Sequence, residues 1–311
     1  MKRSRVLSLP SELNGLLVID KPEGPTSHDV VSRIRRATGV ARIGHTGTLD
    51  PFASGVLPLV LGRATRLVQF LIGADKEYDA QIRLGLETDT YDITGRPVDP
   101  QGRRQPPAPI ARQRVEEVLQ DFRGPLLQQP PPYSAKKING TRAYVLARRG
   151  AAVNPPPSRV FVRELTMVEL QSDLLTLHVV CSSGFYVRSL AHEIGLRLET
   201  GACLEALRRT RSGEFRLDRA TPLERVERDS TDVRELLIPM SELLPGLPSA
   251  ILTGDGAQRA ARGNVVGPPE MVRRAPMDAA RVRLLNEEGQ LVAIARPCGP
   301  QGFLHPDVVV G

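Results

Sequence analysis

One octapeptide decides how this chain is interpreted: residues 44–51 read GHTGTLDP. Its two glycines permit tight backbone turns, and the proline after Asp50 holds that aspartate in an extended or turn conformation. A single aspartate in such a setting is most often an ordinary turn residue. The rest of the sequence therefore has to decide whether Asp50 carries chemistry.

Predicted secondary structure frames the octapeptide as a loop. Residues 16–20 (LLVID) form a short apolar run that predicts a strand. Ser27 then predicts the N-cap of a helix in which apolar residues recur at helical spacing, and Gly39 predicts its end. Residues 42–51 are polar and rich in glycine, so we expect a loop there.

Further elements follow along the chain. Helical spacing of apolar residues predicts helices at 110–122 and 189–199. A strand is expected to begin at Lys76, and apolar runs predict three others: 159–170, 174–181 and 185–187.

Residues 124–157 differ in composition from their surroundings. They contain two triple-proline clusters and a basic stretch between them. A disordered linker and a partly ordered insertion both fit this composition. Two tyrosines and a short helical pattern at 141–149 favour the insertion.

The sequence Pro-Gly-Leu-Pro at 245–248 predicts a domain boundary. One short helix at 257–262 and a few strand-like runs follow it. These runs cover residues 282–285, 291–295 and 308–310. The C-terminal region is therefore expected to be a small, mostly β module.

Composition narrows the classes of protein that fit. The chain of 311 residues has a formal net charge of +7 and a pI near 9.7, which suits a polyanionic partner such as nucleic acid. No apolar run approaches the roughly 20 residues of a membrane span, and the N-terminus lacks the apolar core of a signal peptide. We therefore expect a cytoplasmic protein with no membrane association.

Sequence signatures of cofactor and metal sites are absent. There is no Walker loop, no Rossmann glycine fingerprint and no nucleophile elbow. His192-Glu193 begins like a zinc-binding His-Glu-x-x-His motif, but position 196 is leucine, and the three cysteines are far apart. The sequence therefore favours a reaction without cofactor or metal.

Five segments, in the same order, resemble the TruB family of pseudouridine synthases. The family's GHTG-x-LDP block matches residues 44–51, and its D-K-P-x-G-x-T/S segment matches 20–27. Its K-x-Y, G-x-Y-x-R and L-R-R-x-x-x-G segments match 76–78, 184–188 and 207–213. The resemblance covers nearly the whole chain, including a C-terminal module that is similar to a PUA domain.

The resemblance implies an α+β fold in which a mixed, mostly antiparallel sheet carries a central cleft. It implies a catalytic domain at 1–247 with an RNA-gripping thumb inserted at about 124–157, and a small β-barrel-like PUA domain at 248–311. The implied function is isomerisation of the T-loop uridine at position 55 of tRNA to pseudouridine. The implied enzyme is a monomer that binds the T-arm of tRNA without a guide RNA.

The resemblance also implies roles for individual residues. Asp50 matches the essential carboxylate, Arg188 the arginine that pairs with it, and Tyr78 the tyrosine that stacks near the flipped uracil. Contacts with the substrate are implied at Lys21, His45, Tyr186 and Leu207. A purely structural role fits Lys21 and Leu207 equally well. Basic residues of the thumb are expected to contact phosphates: Lys136, Lys137, Arg142, Arg148 and Arg149.

Three other functions fit part of this pattern. A guide-RNA-dependent synthase of the dyskerin type shares the Asp50 block but lacks the thumb insertion. An RNA chaperone that folds tRNA on the same surface would not need Asp50. A glycosidase would use Asp50 and Glu77 as a carboxylate pair, but would leave the basic thumb and the C-terminal module unexplained.

Overall fold

The computed structural model describes residues 13–98, 110–134, 136–138, 140–148, 153, 155–229, 233–276 and 278–311. Arg149, one of the predicted phosphate contacts, lies outside these ranges. The described residues form seventeen strands and eight α-helices. No helix among them is long and apolar enough to cross a membrane.

The strands of the first part of the chain, in order, are β1 Gly15–Lys21, β2 Ile43–His45, β3 Ser54–Leu61, β4 Lys76–Leu84, β5 Gly124–Gln128, β6 Lys137–Ile138, β7 Thr141–Arg142, β8 Ser158–Gln171, β9 Leu174–Cys181, β10 Ala202–Ser212, β11 Phe215–Arg216 and β12 Thr221–Pro222. Those of the last part are β13 Ser249–Leu252, β14 Met271–Arg273, β15 Val282–Leu285, β16 Leu291–Pro297 and β17 Leu304–Val309. The helices are α1 Ser27–Thr38, α2 Val68–Leu71, α3 Arg112–Gln120, α4 Ala143–Arg148, α5 Val187–Arg197, α6 Leu223–Arg228, α7 Val233–Leu236 and α8 Gly254–Ala261.

A ten-stranded sheet forms the body of the molecule. Its order is β12-β1-β3-β10-β4-β9-β8-β5, with β2 added to β3 and β11 to β10. The pairs β1–β12 and β3–β10 are parallel, and the other described pairs of this sheet are antiparallel. The predicted α+β fold with a mixed, mostly antiparallel sheet is confirmed.

Helix α1 starts one residue earlier than the sequence predicts. Thr26, not Ser27, is the N-cap, and it forms a capping box with Asp29. The predicted end is correct, because Gly39 adopts the left-handed conformation with φ of 71°. Ser27 is the first helical residue, and its hydroxyl is used elsewhere, on the backbone of Leu49.

Helix α5 corrects another prediction. Residues 185–187 were expected to be a strand, but α5 begins at Val187, so Arg188 lies on the first turn of a helix. The cause is the side chain of Gln128, whose amide binds both the N–H and the carbonyl of Tyr186. These two bonds satisfy the backbone of Tyr186 without a strand partner, and the chain turns into the helix directly after it.

The basic insertion, residues 136–148, has a small local structure of its own. Strands β6 and β7 form a separate two-stranded sheet, and α4 follows at once. The helix predicted at 141–149 is therefore shorter at its start, because residues 141–142 pair as a strand.

The C-terminal strands form a second sheet in the order β14-β13-β15-β16-β17. This is an open path with two edges, so the described residues do not form the barrel-like closure that was expected. Ile294 and Val310 of the C-terminal region belong to the same apolar cluster as Val56 of β3 and Leu67, which follows β3 in the chain. Arg66 also donates a hydrogen bond to the carbonyl of Val309 at 2.5 Å. Buried apolar contacts thus join the two sheets.

Candidate active site

Asp50 lies in the loop between β2 and β3 and is paired with Arg188 of α5. The Arg188 Nε atom is 2.9 Å from Asp50 Oδ2, and Nη2 donates to Oδ1 at 3.2 Å. The side chain of Arg188 is 6% exposed, whereas that of Asp50 is 34% exposed. A buried cation thus holds a carboxylate that remains partly exposed, the arrangement expected for a reacting group.

A second carboxylate, Asp92, binds the same arginine from behind. Its Oδ2 is 3.4 Å from Arg188 Nη1, and its side chain is also 6% exposed. The carbonyls of Thr90 and Tyr133 accept hydrogen bonds from Arg188 at 3.1 and 2.9 Å. Together these contacts give the guanidinium three partners in addition to Asp50.

Asp92 was not predicted as a site residue. The run of threonine and aspartate before Gly95 indicates a loop held by its own side chains, and Asp92 does bind Thr90 and Thr94 in this way. That pattern does not reveal a partner almost a hundred residues further along the chain.

The loop that carries Asp92 is held against α5 by a stacked pair of rings. Tyr91 lies flat on His192, with ring centroids 3.9 Å apart and an interplanar angle of 6°. Tyr91 has a φ of 62°, an uncommon value for a residue other than glycine. His192 is one turn after Arg188 on α5, so the stack fastens the Asp92 loop to the helix that carries the arginine.

Two tyrosines and a leucine predicted around Asp50 lie on neighbouring elements. Tyr78 of β4 is buried and pairs across the strands with Arg209 of β10, next to the Leu207–Ala80 pair. Burial raises the pKa of Tyr78, and the charge of Asp50 acts in the same direction. Burial also raises the pKa of Tyr186, to which Asp50 again contributes. Both phenols are therefore neutral at pH 7 and lie within electrostatic reach of Asp50.

Lys21 is fully buried at the end of β1. It donates hydrogen bonds to the carbonyls of Pro22 and Pro51, at 2.8 and 3.2 Å. Burial lowers its pKa to about 8, while the charge of Asp50 acts in the opposite direction. The contact with Pro51 supports the structural role left open for this lysine.

His45 ends β2, where it pairs with Leu59, and begins the octapeptide that leads to Asp50. It is half-buried, five residues before the carboxylate.

Four of the predicted phosphate contacts belong to the basic insertion, residues 136–148. The Lys136 ammonium donates to the hydroxyl of Ser158 at 2.6 Å. Lys137 and Arg142 are partners in the β6–β7 pair, and Arg148 ends α4.

The alternative carboxylate pair of a glycosidase is not formed. Successive side chains of a strand point to opposite faces, so Glu77 faces away from Tyr78. Its carboxylate binds Arg211 and Thr210 at 2.8 and 3.2 Å. Glu77 therefore belongs to an ion-pair network on the other face of the sheet.

A mixed sheet that brings together a partly exposed aspartate, a buried arginine and a buried tyrosine is typical of an enzyme of the pseudouridine synthase class. Solved structures agree with this class. The chain of the archaeal box H/ACA sRNP Nop10-Cbf5 complex matches with a TM-score of 0.71 and 26% identity, over 96% of this chain and 86% of that one. A Cbf5-Nop10-Gar1 complex gives a TM-score of 0.72 at 26% identity, with 96% and 85% of the two chains covered.

Sequence comparisons narrow the class to one family. Residues 35–187 match the model of the TruB family pseudouridylate synthase N-terminal domain, and residues 188–245 that of the tRNA pseudouridylate synthase B C-terminal domain. A tRNA pseudouridine synthase B of Solibacter usitatus is 42% identical, over 96% of this chain and all of its own length. One of Bacillus velezensis is 37% identical, over 96% of this chain and 98% of its own. The chain belongs to the TruB family of pseudouridine synthases.

Proposed function

We propose that this chain is a stand-alone tRNA pseudouridine synthase that isomerises uridine 55 of the T-loop. One observation carries the proposal: a partly exposed Asp50 is bound by a buried arginine, in a chain that is 42% identical, over 96% of its length, to a tRNA pseudouridine synthase B. Cbf5, at 26% identity, is a more distant relative. The guide-RNA-dependent alternative is correspondingly weaker.

The reaction exchanges the C1′–N1 bond of the nucleotide for a C1′–C5 bond. It is redox-neutral, since uracil is both the group that leaves and the group that returns. Asp50 acts at the sugar, either by attack on C1′ or by removal of a sugar proton, and both routes need an ionised carboxylate with one side open. The pairing of Asp50 with Arg188 and its 34% exposure meet both needs.

The other cleft residues hold the base. Tyr78 is neutral and buried, so it supplies an apolar face for uracil and a phenol oxygen near C5. Tyr186 and Leu207 line the same pocket. His45 contacts the T-loop beside the flipped nucleotide, whose extrusion costs a few kcal/mol of unstacking.

RNA binding is distributed more widely. The lysines and arginines of the basic insertion attract the phosphates of the T-arm, which compensates for the cost of base flipping. The C-terminal β module from residue 248 onward acts as a PUA-like RNA-binding domain. The enzyme works in the cytoplasm, as a monomer, without guide RNA.

The direct test is to incubate the purified protein with an unmodified tRNA transcript, with no guide RNA, and to map pseudouridine. Formation at position 55 is expected. The matched substrate is the same transcript with cytidine at position 55, which should remain unchanged. An absence of pseudouridine under conditions where the protein binds the tRNA would favour the RNA-chaperone alternative.

A transcript with 5-fluorouridine at position 55 tests the reaction class. After C5 joins the sugar, its hydrogen must leave as a proton, and fluorine cannot leave as a cation. A C5-linked, hydrated or non-aromatic product is therefore expected in mass spectra of the digested RNA. Free 5-fluorouracil would instead indicate a glycosidase, and unchanged RNA a chaperone.

A further inference from the structure

The backbone of the loop before β3 is held through five consecutive carbonyls. Arg209 donates to those of residues 47 and 48, at 3.0 and 3.4 Å. The Ser27 hydroxyl donates to that of residue 49 at 3.0 Å. The carbonyl of Asp50 accepts from the N–H of residue 53, and that of residue 51 accepts from Lys21 and from the N–H of residue 24.

Ser27 differs from the other side chains of this set because it binds both sides of one residue. Its hydroxyl donates to the Leu49 carbonyl and also accepts from the Leu49 N–H at 2.8 Å. The two residues are 22 positions apart, and both are buried, at 2% and 3% exposure. A single hydroxyl thus satisfies the whole backbone of Leu49, as a neighbouring strand would.

These bonds act directly on the orientation of Asp50. The Leu49 carbonyl and the Asp50 nitrogen belong to the same planar peptide unit, so fixing the carbonyl fixes the plane from which Asp50 projects. The side chain of Leu49 belongs to the same buried apolar cluster as Tyr78 and Leu207. Leu49 is therefore anchored at its side chain and its backbone, and Asp50 is the next residue.

We propose that Ser27 is a positioning residue for the isomerisation: it holds the Leu49–Asp50 peptide so that the Asp50 carboxylate meets both Arg188 and the nucleotide sugar. Ser27 does this without contacting substrate and without charge. The inference rests on the proposed function, and it predicts a loss of rate without a loss of tRNA affinity. Displacement of a reacting group by about 1 Å can cost on the order of a hundredfold in rate.

Helix α1 provides a matched control at its other end. The Thr38 hydroxyl donates to the Ile34 carbonyl at 2.8 Å and accepts from the Val40 N–H at 3.3 Å. Thr38 is buried as well, at 8% exposure. Thr38 and Ser27 both belong to this helix. Thr38→Val and Ser27→Ala each remove one buried hydroxyl that makes two hydrogen bonds to backbone groups. The two variants differ in the backbone that loses its hydrogen bonds: Ser27 binds the residue directly before Asp50, and Thr38 does not.

The experiment compares single-turnover pseudouridine formation at saturating enzyme, tRNA Kd and melting temperature in wild type and both variants. Ser27→Ala is expected to slow the single-turnover rate about 10- to 100-fold, with Kd within about threefold. Thr38→Val should keep the wild-type rate at a similar loss of melting temperature. Equal rates in the two variants, or a loss confined to Kd, would overturn the inference.

Two further measurements keep the test decisive. Hydrogen exchange of the Leu49 amide should accelerate in Ser27→Ala and not in Thr38→Val. If Ser27→Ala does not fold, Ser27→Cys fills the site with a slightly larger group that forms only weak hydrogen bonds, and it should show the same selective loss of rate. A wild-type rate in that variant would refute the inference. Wild-type protein that forms no pseudouridine would refute the proposed function instead, whatever the amide exchange shows.

Discussion

The Asp50 loop, residues 44–51, and the basic insertion, residues 136–148, are built in opposite ways. The loop has little regular structure, yet buried side chains from distant segments hold its carbonyls. The insertion has regular structure, but its two strands pair with each other and not with the ten-stranded sheet. Bond exchange needs atoms fixed to fractions of an ångström, whereas attraction of phosphates needs only charge within reach.

The boundary between these two kinds of structure does not coincide with the predicted thumb at 124–157. Residues 124–128 form an edge strand of the main sheet, and Gln128 fixes the backbone of Tyr186. The carbonyl of Tyr133 binds Arg188, and that of Gln129 binds Ser189. The first part of the thumb segment therefore supports Arg188 and the start of α5, and the proposed RNA contacts are confined to residue 136 onward.

Among these variants, Asp50→Asn is expected to have the largest effect. The effect should be on the reaction rate and not on the affinity for tRNA. The substitution keeps the shape of the side chain but removes the charge, so single-turnover pseudouridine formation should fall by more than about a hundredfold. The Kd for tRNA should stay within a few-fold of wild type, because the proposed phosphate contacts involve other residues. Turnover above a hundredth of wild type would contradict the role of Asp50.

Asp92→Asn should come next, with a rate loss of about tenfold to a hundredfold. The variant keeps Oδ1, which accepts the hydrogen bonds of Thr90 and Thr94, but removes the charge beside Arg188. The arginine then has a single carboxylate partner and is held less firmly. Single-turnover rates measure the effect.

Asp89→Asn is the matched control in the same loop. Its carboxylate accepts from the N–H of Arg96 at the surface and makes no contact with Arg188 in the described structure. A wild-type rate is expected. Equal losses in Asp89→Asn and Asp92→Asn would mean that loop stability, and not the arginine, limits the rate.

The sequence predicted those strands and helix ends whose signals lie in neighbouring residues. The strand at 174–181 is found at its predicted bounds, and the strand predicted at 16–20 is extended by one residue at each end. Gly39 ends α1 as predicted, since its left-handed conformation is a property of one residue. These elements depend on neighbouring residues, so a pattern in the chain is enough to find them.

The rest depended on contacts between distant residues. Gln128 and Tyr186 are 58 positions apart, and their contact turns a strand-like segment into the start of a helix. Arg188 and Thr90 are 98 positions apart, and this distance concealed Asp92. Serine is a residue type that favours the N-cap position, but the Ser27 hydroxyl forms hydrogen bonds with the backbone of Leu49 instead. One sequence without its relatives carries no signal for such pairs.

Neutralising the insertion should change affinity and not rate. The variant replaces four cations with glutamine: Lys136, Lys137, Arg142 and Arg148. Each phosphate contact that is lost should reduce the slope of log Kd against log salt by up to about 0.9. At moderate salt we expect affinity to fall by tens-fold, while the single-turnover rate at saturating enzyme stays near wild type.

The control for that variant removes the same charge from another surface. Four exposed arginines near α6 serve this purpose: Arg216, Arg219, Arg225 and Arg228. Replacing them with glutamine leaves the insertion intact at equal net charge. The same salt slope in both variants would show that overall charge, and not the insertion, attracts the tRNA.

The smallest effect is expected from the buried cation behind the Asp50 loop. Lys76 is 5% exposed, and its ammonium donates to the carbonyls of Ile72 and Ala74, at 2.7 and 2.5 Å. It lies close to Gly47, since a Cβ added there would be 3.6 Å from Lys76 Cε. Burial, followed by the charge of Arg209, lowers its pKa to about 8.

This shift makes stability depend on pH in a defined direction. An unfolded lysine has a pKa of about 10.4, so between pH 8 and 10 the unfolded chain binds a proton that folded Lys76 lacks. The free energy of unfolding therefore gains a contribution that rises with pH across this window and is flat below it.

Lys76→Met removes that contribution. Urea unfolding of both proteins at pH 6, 7, 8, 9 and 10 should give a stability difference that is constant up to about pH 7 and then shifts steadily in favour of wild type. Titration of groups that do not interact with Lys76 cancels in the difference. A difference that stays constant up to pH 10 would mean that Lys76 titrates in the fold as it does in the unfolded chain, and that its burial behind the Asp50 loop does not lower its pKa.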